Sequence, residues 1–116
     1  MTRIYKLLSR SDWDAALSEG VLRGSLQDRA DGYIHFSSSA QLQETARRWF
    51  AGRDDLVVLE VEDHTLGSAL KWEVSRDGAP FPHLFVPLPI QVVLSARAFA
   101  HEEPGPMPEK SPGDFA

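Results

Sequence analysis

The chain has 116 residues, 42% of them hydrophobic and 25% charged, which fits one domain around one core and excludes an intrinsically disordered chain. It contains no cysteine, so disulfide staples, thiolate nucleophiles and thiolate metal sites are excluded. A net charge of -5 argues against a surface that coats nucleic acid.

The N-terminus lacks the apolar h-region of a signal peptide, and no run approaches the roughly 20 apolar residues of a membrane span. A cytoplasmic protein with neither membrane nor nucleic-acid partners is expected. In chain order, Arg3 to Leu8 predicts a first strand, with Ile4, Tyr5, Leu7 and Leu8 followed by a Ser/Asp cluster. Ser11 is placed to cap a helix through about Ser18, with Trp13 and Leu17 on one face and Gly20 as its stop. Val21 to Gly32 is polar and predicts a loop or short strand.

Tyr33 to Ser37 has strand composition, and a period of two places Tyr33, His35 and Ser37 on one face against Ile34 and Phe36 on the other. Ser38 and Gln41 form a capping-box pattern opening a helix in which Leu42, Ala46, Trp49 and Phe50 share a face, and Gly52 ends it. Leu56 to Val61, short and β-branched, predicts a central core strand. Leu70 to Ser75 alternates, sending Leu70, Trp72 and Val74 one way and Lys71, Glu73 and Ser75 the other, before an Asp77-Gly78 turn.

Pro80 to Pro89 carries four prolines, which lack backbone donors, so an extended loop or edge segment bearing His83 is expected there. Gln91 to Ala100 predicts a last strand. Residues 102–116 are Pro-rich and predict a poorly ordered tail after a single domain spanning 1–101. The order β-α-β-α and then mostly β implies an α+β fold, with a split or curved, mainly antiparallel sheet and two to three helices outside it.

His35 between Ile34 and Phe36, and Glu73 between Trp72 and Val74, are polar residues in apolar strand surroundings. A histidine there is either a hydrogen-bonded core residue or a directional donor and general acid/base. A carboxylate there is either solvated or placed to orient a hydroxyl, stabilise a cation or ligate a metal. Arg23 and Arg29, just before the His35 strand, are either solvated loop arginines or a phosphate grip. Trp72 shares the apolar side of its strand and is read as core, or stacks on a planar ligand at a pocket edge. Asp63-His64 is read as a chain exit to solvent. No dinucleotide fingerprint, Walker loop, zincin or nucleophile-elbow motif is present.

The strings Asp31-Gly32-Tyr33-Ile34-His35-Phe36-Ser37, Leu70-Lys71-Trp72-Glu73, Phe81-Pro82-His83-Leu84 and Pro87-Leu88-Pro89, in this order, resemble the small bacterial family known as domain of unknown function 952. The resemblance runs from Tyr5 to about Phe99. It implies a fold similar to that of ADP-ribosyltransferases, whose cleft holds NAD. By that resemblance His35 bonds a ribose, Glu73 stabilises the oxocarbenium character that develops when the nicotinamide bond breaks, Ser37 supports the site and His83 reaches it. Tyr33 is the candidate for stacking on nicotinamide. Lys71 stands where many protein-modifying members carry Gln or Glu, which argues against arginine-directed modification. The short stretch from His35 to Glu73 leaves little acceptor-binding surface, so a free nucleotide or small metabolite is a better substrate than a protein.

The expected function is therefore NAD-like nucleotide binding with hydrolase or transferase chemistry at the ribose, in a monomer or weak homodimer, with NAD as the cofactor or substrate and no metal. Two alternatives stand beside it. His35, Glu73 and His83 could form a two-histidine, one-carboxylate metal site, or the cleft could bind a small ligand without turnover.

Overall fold

The computed structural model describes residues 2–75 and 78–101, so the expected tail and Asp77 lie outside the described residues. Two apolar strands frame it. β1 (Arg3–Ser9) and β5 (Leu56–Glu62) pair antiparallel from Arg3 opposite Glu62 to Ser9 opposite Leu56. β4 (Ser37–Ser38) flanks β1, and β9 (Ser95–Ala98) flanks β5, giving a sheet ordered β4-β1-β5-β9. The expected central strand thus has a neighbour on each side. The expected last strand is shorter than predicted, because Ile90–Val92 first makes a 3-10 turn that packs Val92 against the core.

Alternation gives this sheet two buried faces. Ile4, Leu8, Val57, Leu59 and Val61 point into the main core with Trp13, Ile34, Phe36 and Leu84. Leu7 and Val58 point the other way, onto Leu42 and Ala46 of α3 (Leu42–Trp49). Trp49 departs from the expected helix face: it is 69% exposed, whereas Leu42 and Ala46 are buried against the sheet.

α1 (Arg10–Glu19) is capped by Ser9, whose Oγ accepts from the Asp12 N–H at 3.0 Å, rather than by Ser11. It ends as expected at Gly20, in the left-handed region at φ 88. Trp13 and Ala16 face the core and Leu17 is exposed. After β2 (Val21–Leu22), the predicted loop contains a helix instead, α2 (Leu26–Asp31). Its start is a capping box: Ser25 Oγ accepts from the Asp28 N–H, and Asp28 returns a carboxylate oxygen to the Ser25 N–H. A Ser-x-x-Asp signature is enough to close the turn although the segment is polar.

β2 pairs with β8 (Leu88–Pro89). A three-stranded sheet joins β3 (Ile34–His35), β7 (Pro80–Leu84) and β6 (Leu70–Val74) in the order β3-β7-β6. All strand pairs are antiparallel. The expected single strand Tyr33 to Ser37 is therefore two short ones in different sheets, and the chain crosses between them at Phe36.

That crossing explains why β7 is central despite its prolines. The Pro82 carbonyl accepts from the Phe36 N–H at 3.0 Å, and the Pro80 carbonyl accepts from the Gln41 side chain. A residue's N and carbonyl lie on the same side of a strand, so both prolines direct their missing donors toward β3, which has already turned away.

In β6 the predicted alternation holds, but its apolar side overhangs the core edge. Trp72 is 40% exposed and Val74 more so, which corrects the expectation of a buried Trp72. Among the described residues no helix is long and apolar enough to cross a membrane.

Candidate functional site

β4 covers only Ile4 and Tyr5 of β1, so the edge of β1 from Lys6 to Ser9 has no strand beside it among the described residues. A cleft of about 770 Å³ lies there, within the roughly 300–1,000 Å³ typical of small-molecule sites. Its walls include Lys6, Arg29, Tyr33, His35, Trp49 and His83.

The strand register builds one wall. His35 pairs directly with His83 across β3 and β7, and cross-strand partners share a sheet face. Glu73, opposite Phe81, is the diagonal neighbour of His83 on that face and accepts a hydrogen bond from its Nδ1 at 2.8 Å. The Tyr33 ring stacks on His83 at 4.0 Å between centroids and meets His35 at 4.6 Å.

The second wall is electrostatic. Lys6 shares a strand face with Ile4 and Leu8, so its chain runs into the core, where Nζ meets Asp28 Oδ2 at 2.8 Å. Asp28 Oδ1 accepts from His35 Nδ1 at 2.5 Å and from the His35 backbone N–H at 3.2 Å. Burial opposes the charge on Asp28, but the His35 hydrogen bond, the Lys6 charge and hydrogen bond, and the Ser25 N–H outweigh it. They hold the carboxyl well below its ordinary range. His35 Nε2 lies 2.9 Å from Asp31 Oδ2 at the end of α2. Burial of Tyr33, then the charges of Asp31, Glu73 and Asp28, push its phenol up, so it stays a neutral donor at neutral pH.

This arrangement presents an imidazole, oriented by a buried carboxylate, to a cleft that also carries cations and aromatic rings. Such a ring can donate to, or take a proton from, a bound polar group.

Over residues 7–96 the sequence matches a family model described as a protein of unknown function, DUF952. The chain belongs to this family. The crystal structure of protein CC0527 from Caulobacter crescentus is similar at 52% identity and a TM-score of 0.82, covering 84% of this chain and 85% of that one. Its solution NMR structure is 53% identical, with a TM-score of 0.76 and 84% of each chain covered. No curated protein matches.

In this DUF952 chain, His35, Tyr33, Ser37, His83 and Arg29 all line the cleft. Ser37 does so from the other sheet, buried, with its Oγ 2.9 Å from Thr45 Oγ1, so it does not share a strand face with His35 as predicted. Glu73 lies behind His83 and is not part of the lining. Trp72 is on the outer surface, and Arg23 lies away from the cleft, its Nε 2.7 Å from Glu19.

The three donors proposed for a metal do not converge. His35 and His83 each turn Nδ1 to a different carboxylate. The grouping of His, Asp and Glu ligand atoms within 4.8 Å among the described residues is instead Glu62, Asp63 and His64, at the exit from β5.

Lys6 and Asp28 were missed as site residues. Lys6 carried a signal, being a charge in phase with two apolar strand positions, and Asp28 carried one in the Ser25-x-x-Asp28 cap.

Proposed function

We propose that this protein binds an NAD-like nucleotide in the cleft beside β1 and acts at its ribose as a small hydrolase or transferase. The observation that carries this reading is His35, fixed through Nδ1 by buried Asp28 and open to a cleft lined by Tyr33, Trp49, Lys6 and Arg29. Aromatic rings suit a base or nicotinamide, and cations suit a diphosphate. The reading takes the fold to be akin to that of ADP-ribosyltransferases, and antiparallel sheets bordering a cleft support it.

In the reaction, the bond between the ribose C1′ and the nicotinamide nitrogen breaks, and nicotinamide leaves with the electron pair. Water or an acceptor hydroxyl forms the new C1′–O bond and gives its proton to solvent. Glu73, outside the lining, acts on the positive charge that develops on the sugar through His83, whose ring it holds by the Nδ1 hydrogen bond. It shares the sheet face of His35 and His83 and is one hydrogen bond behind the cleft wall.

Calorimetric titration with NAD and ADP-ribose tests binding, and release of nicotinamide tests turnover. The expected result is saturable binding below millimolar ligand, with Glu73→Gln keeping affinity and losing nicotinamide release. No heat from the natural protein at millimolar NAD overturns the reading. The engagement of Glu73 by His83 favours one second reading, a binding module without turnover, for which NAD binds and no nicotinamide appears.

A further inference from the structure

We propose that the Nε2 side of His35 is an anion subsite that takes a phosphate oxygen of the ligand, with the Asp31 carboxylate standing in for that oxygen in the free protein. The inference rests on the nucleotide reading and refines it, because the family resemblance gives His35 a ribose hydroxyl, whereas the local geometry calls for an anionic oxygen.

The two carboxylates on His35 are held very differently. Asp28 is buried and fixed by Lys6 Nζ, the Ser25 N–H, the His35 N–H and His35 Nδ1. It defines one end of the ring. Asp31 holds the other end, and its side chain is 36% exposed. Carboxylate oxygens accept and do not donate, so a ring between two carboxylates presents an N–H at each nitrogen. The partner matched to Nε2–H in that state is an anion.

Asp31 is poorly suited to be the permanent one. It is the last residue of α2, where the free carbonyl ends already carry partial negative charge. Its other side-chain contact among the described residues is Gln27 Nε2, 3.1 Å away and exposed. A phosphate would relieve that placement and bring further oxygens for Arg29, which lines the same cleft and has no side-chain ion pair among the described residues.

The cleft has no spare buried partner for a ligand to claim instead. Among the described residues, the buried side-chain polar atom without a hydrogen bond is Glu62 Oε2, which is outside the lining. A ligand that engages the His35 ring must displace one of its two carboxylates, and Asp31 is the solvent-accessible one.

The test compares AMP with adenosine, which differ only in the phosphate, by calorimetry on the natural protein and on Asp31→Ala. If Asp31 occupies Nε2 about nine-tenths of the time, its removal tightens AMP roughly tenfold, and adenosine is unchanged. Asp12→Ala, which removes the same charge from another lining residue, is expected to tighten AMP less than threefold. Asp31→Asn keeps the side-chain shape and repeats the comparison if the alanine variant folds poorly.

Unchanged or weaker AMP binding in Asp31→Ala, or an equal gain from Asp12→Ala, overturns the subsite. If neither NAD nor AMP binds the natural protein, the nucleotide reading fails, and the subsite is judged with inorganic pyrophosphate on Asp31→Ala. A shift of the His35 Nε2 nitrogen resonance supports it, and no shift at tens of millimolar overturns it.

Discussion

The two histidine-carboxylate pairs that flank Tyr33 are inverted copies in burial. In one, the carboxylate is buried and the imidazole reaches the cleft: Asp28 is 2% exposed and His35 35%. In the other, the imidazole is buried and the carboxylate faces outward: His83 is 5% exposed and Glu73 43%. Burial decides which partner is fixed. Asp28 orients a ring that reaches the cleft, whereas His83 is packed under Tyr33 and anchors Glu73. The first pair also carries Lys6, so a change there disturbs three coupled groups rather than two.

The inversion is broken most forcefully at Asp28. Asp28→Ala leaves the Lys6 charge buried without its partner and is expected to cost about 3–5 kcal/mol in chemical denaturation. A loss under 1 kcal/mol would show that Lys6 finds water or another acceptor. The same carboxylate governs acid stability. Its folded-state pKa is depressed, so its contribution is complete above the ordinary value of 3.8 and is lost as pH falls from there toward the lower folded value. Denaturation midpoints measured between pH 6 and pH 2 should fall along this limb, and Asp28→Asn should flatten it.

His83→Ala removes a buried, stacked ring and is expected to cost about 2–3 kcal/mol by thermal denaturation. Glu73→Gln retains a partner for His83 at a solvent-screened position, so a change of no more than about 1 kcal/mol is expected. A cost as large as that of Asp28→Ala would erase the distinction between the pairs. The smallest effect belongs to Trp49 at the cleft rim. Trp49→Ala should shift stability by no more than about 0.5 kcal/mol, yet remove most of the fluorescence change on nucleotide binding.

How much was legible follows from the range of the interactions. The apolar runs Arg3 to Leu8 and Leu56 to Val61 and the alternation of Leu70 to Ser75 are local, and each survives in a strand. Trp49 and Trp72 depart from the apolar faces predicted for them because such a face is buried only where something covers it, and both side chains are exposed. Prolines at 80 and 82 looked incompatible with a central strand. They are tolerated because β3 leaves the sheet at Phe36, a nonlocal event.

His35, Glu73 and His83 were identifiable as polar residues out of keeping with their neighbours, and the sheet register places them on one face as a connected row. Composition, periodicity and capping chemistry are properties of neighbouring residues, so they suffice for the α+β class, the central strand and the outward alternation of Glu73. The cleft itself arises where β4 stops short along β1, and the Lys6–Asp28–His35 contacts join β1 to the more distant α2–β3 segment. Those depend on which strands pair and where each pairing ends, because only the closed fold brings a charge on β1, a carboxylate on α2 and an imidazole on β3 within hydrogen-bonding distance.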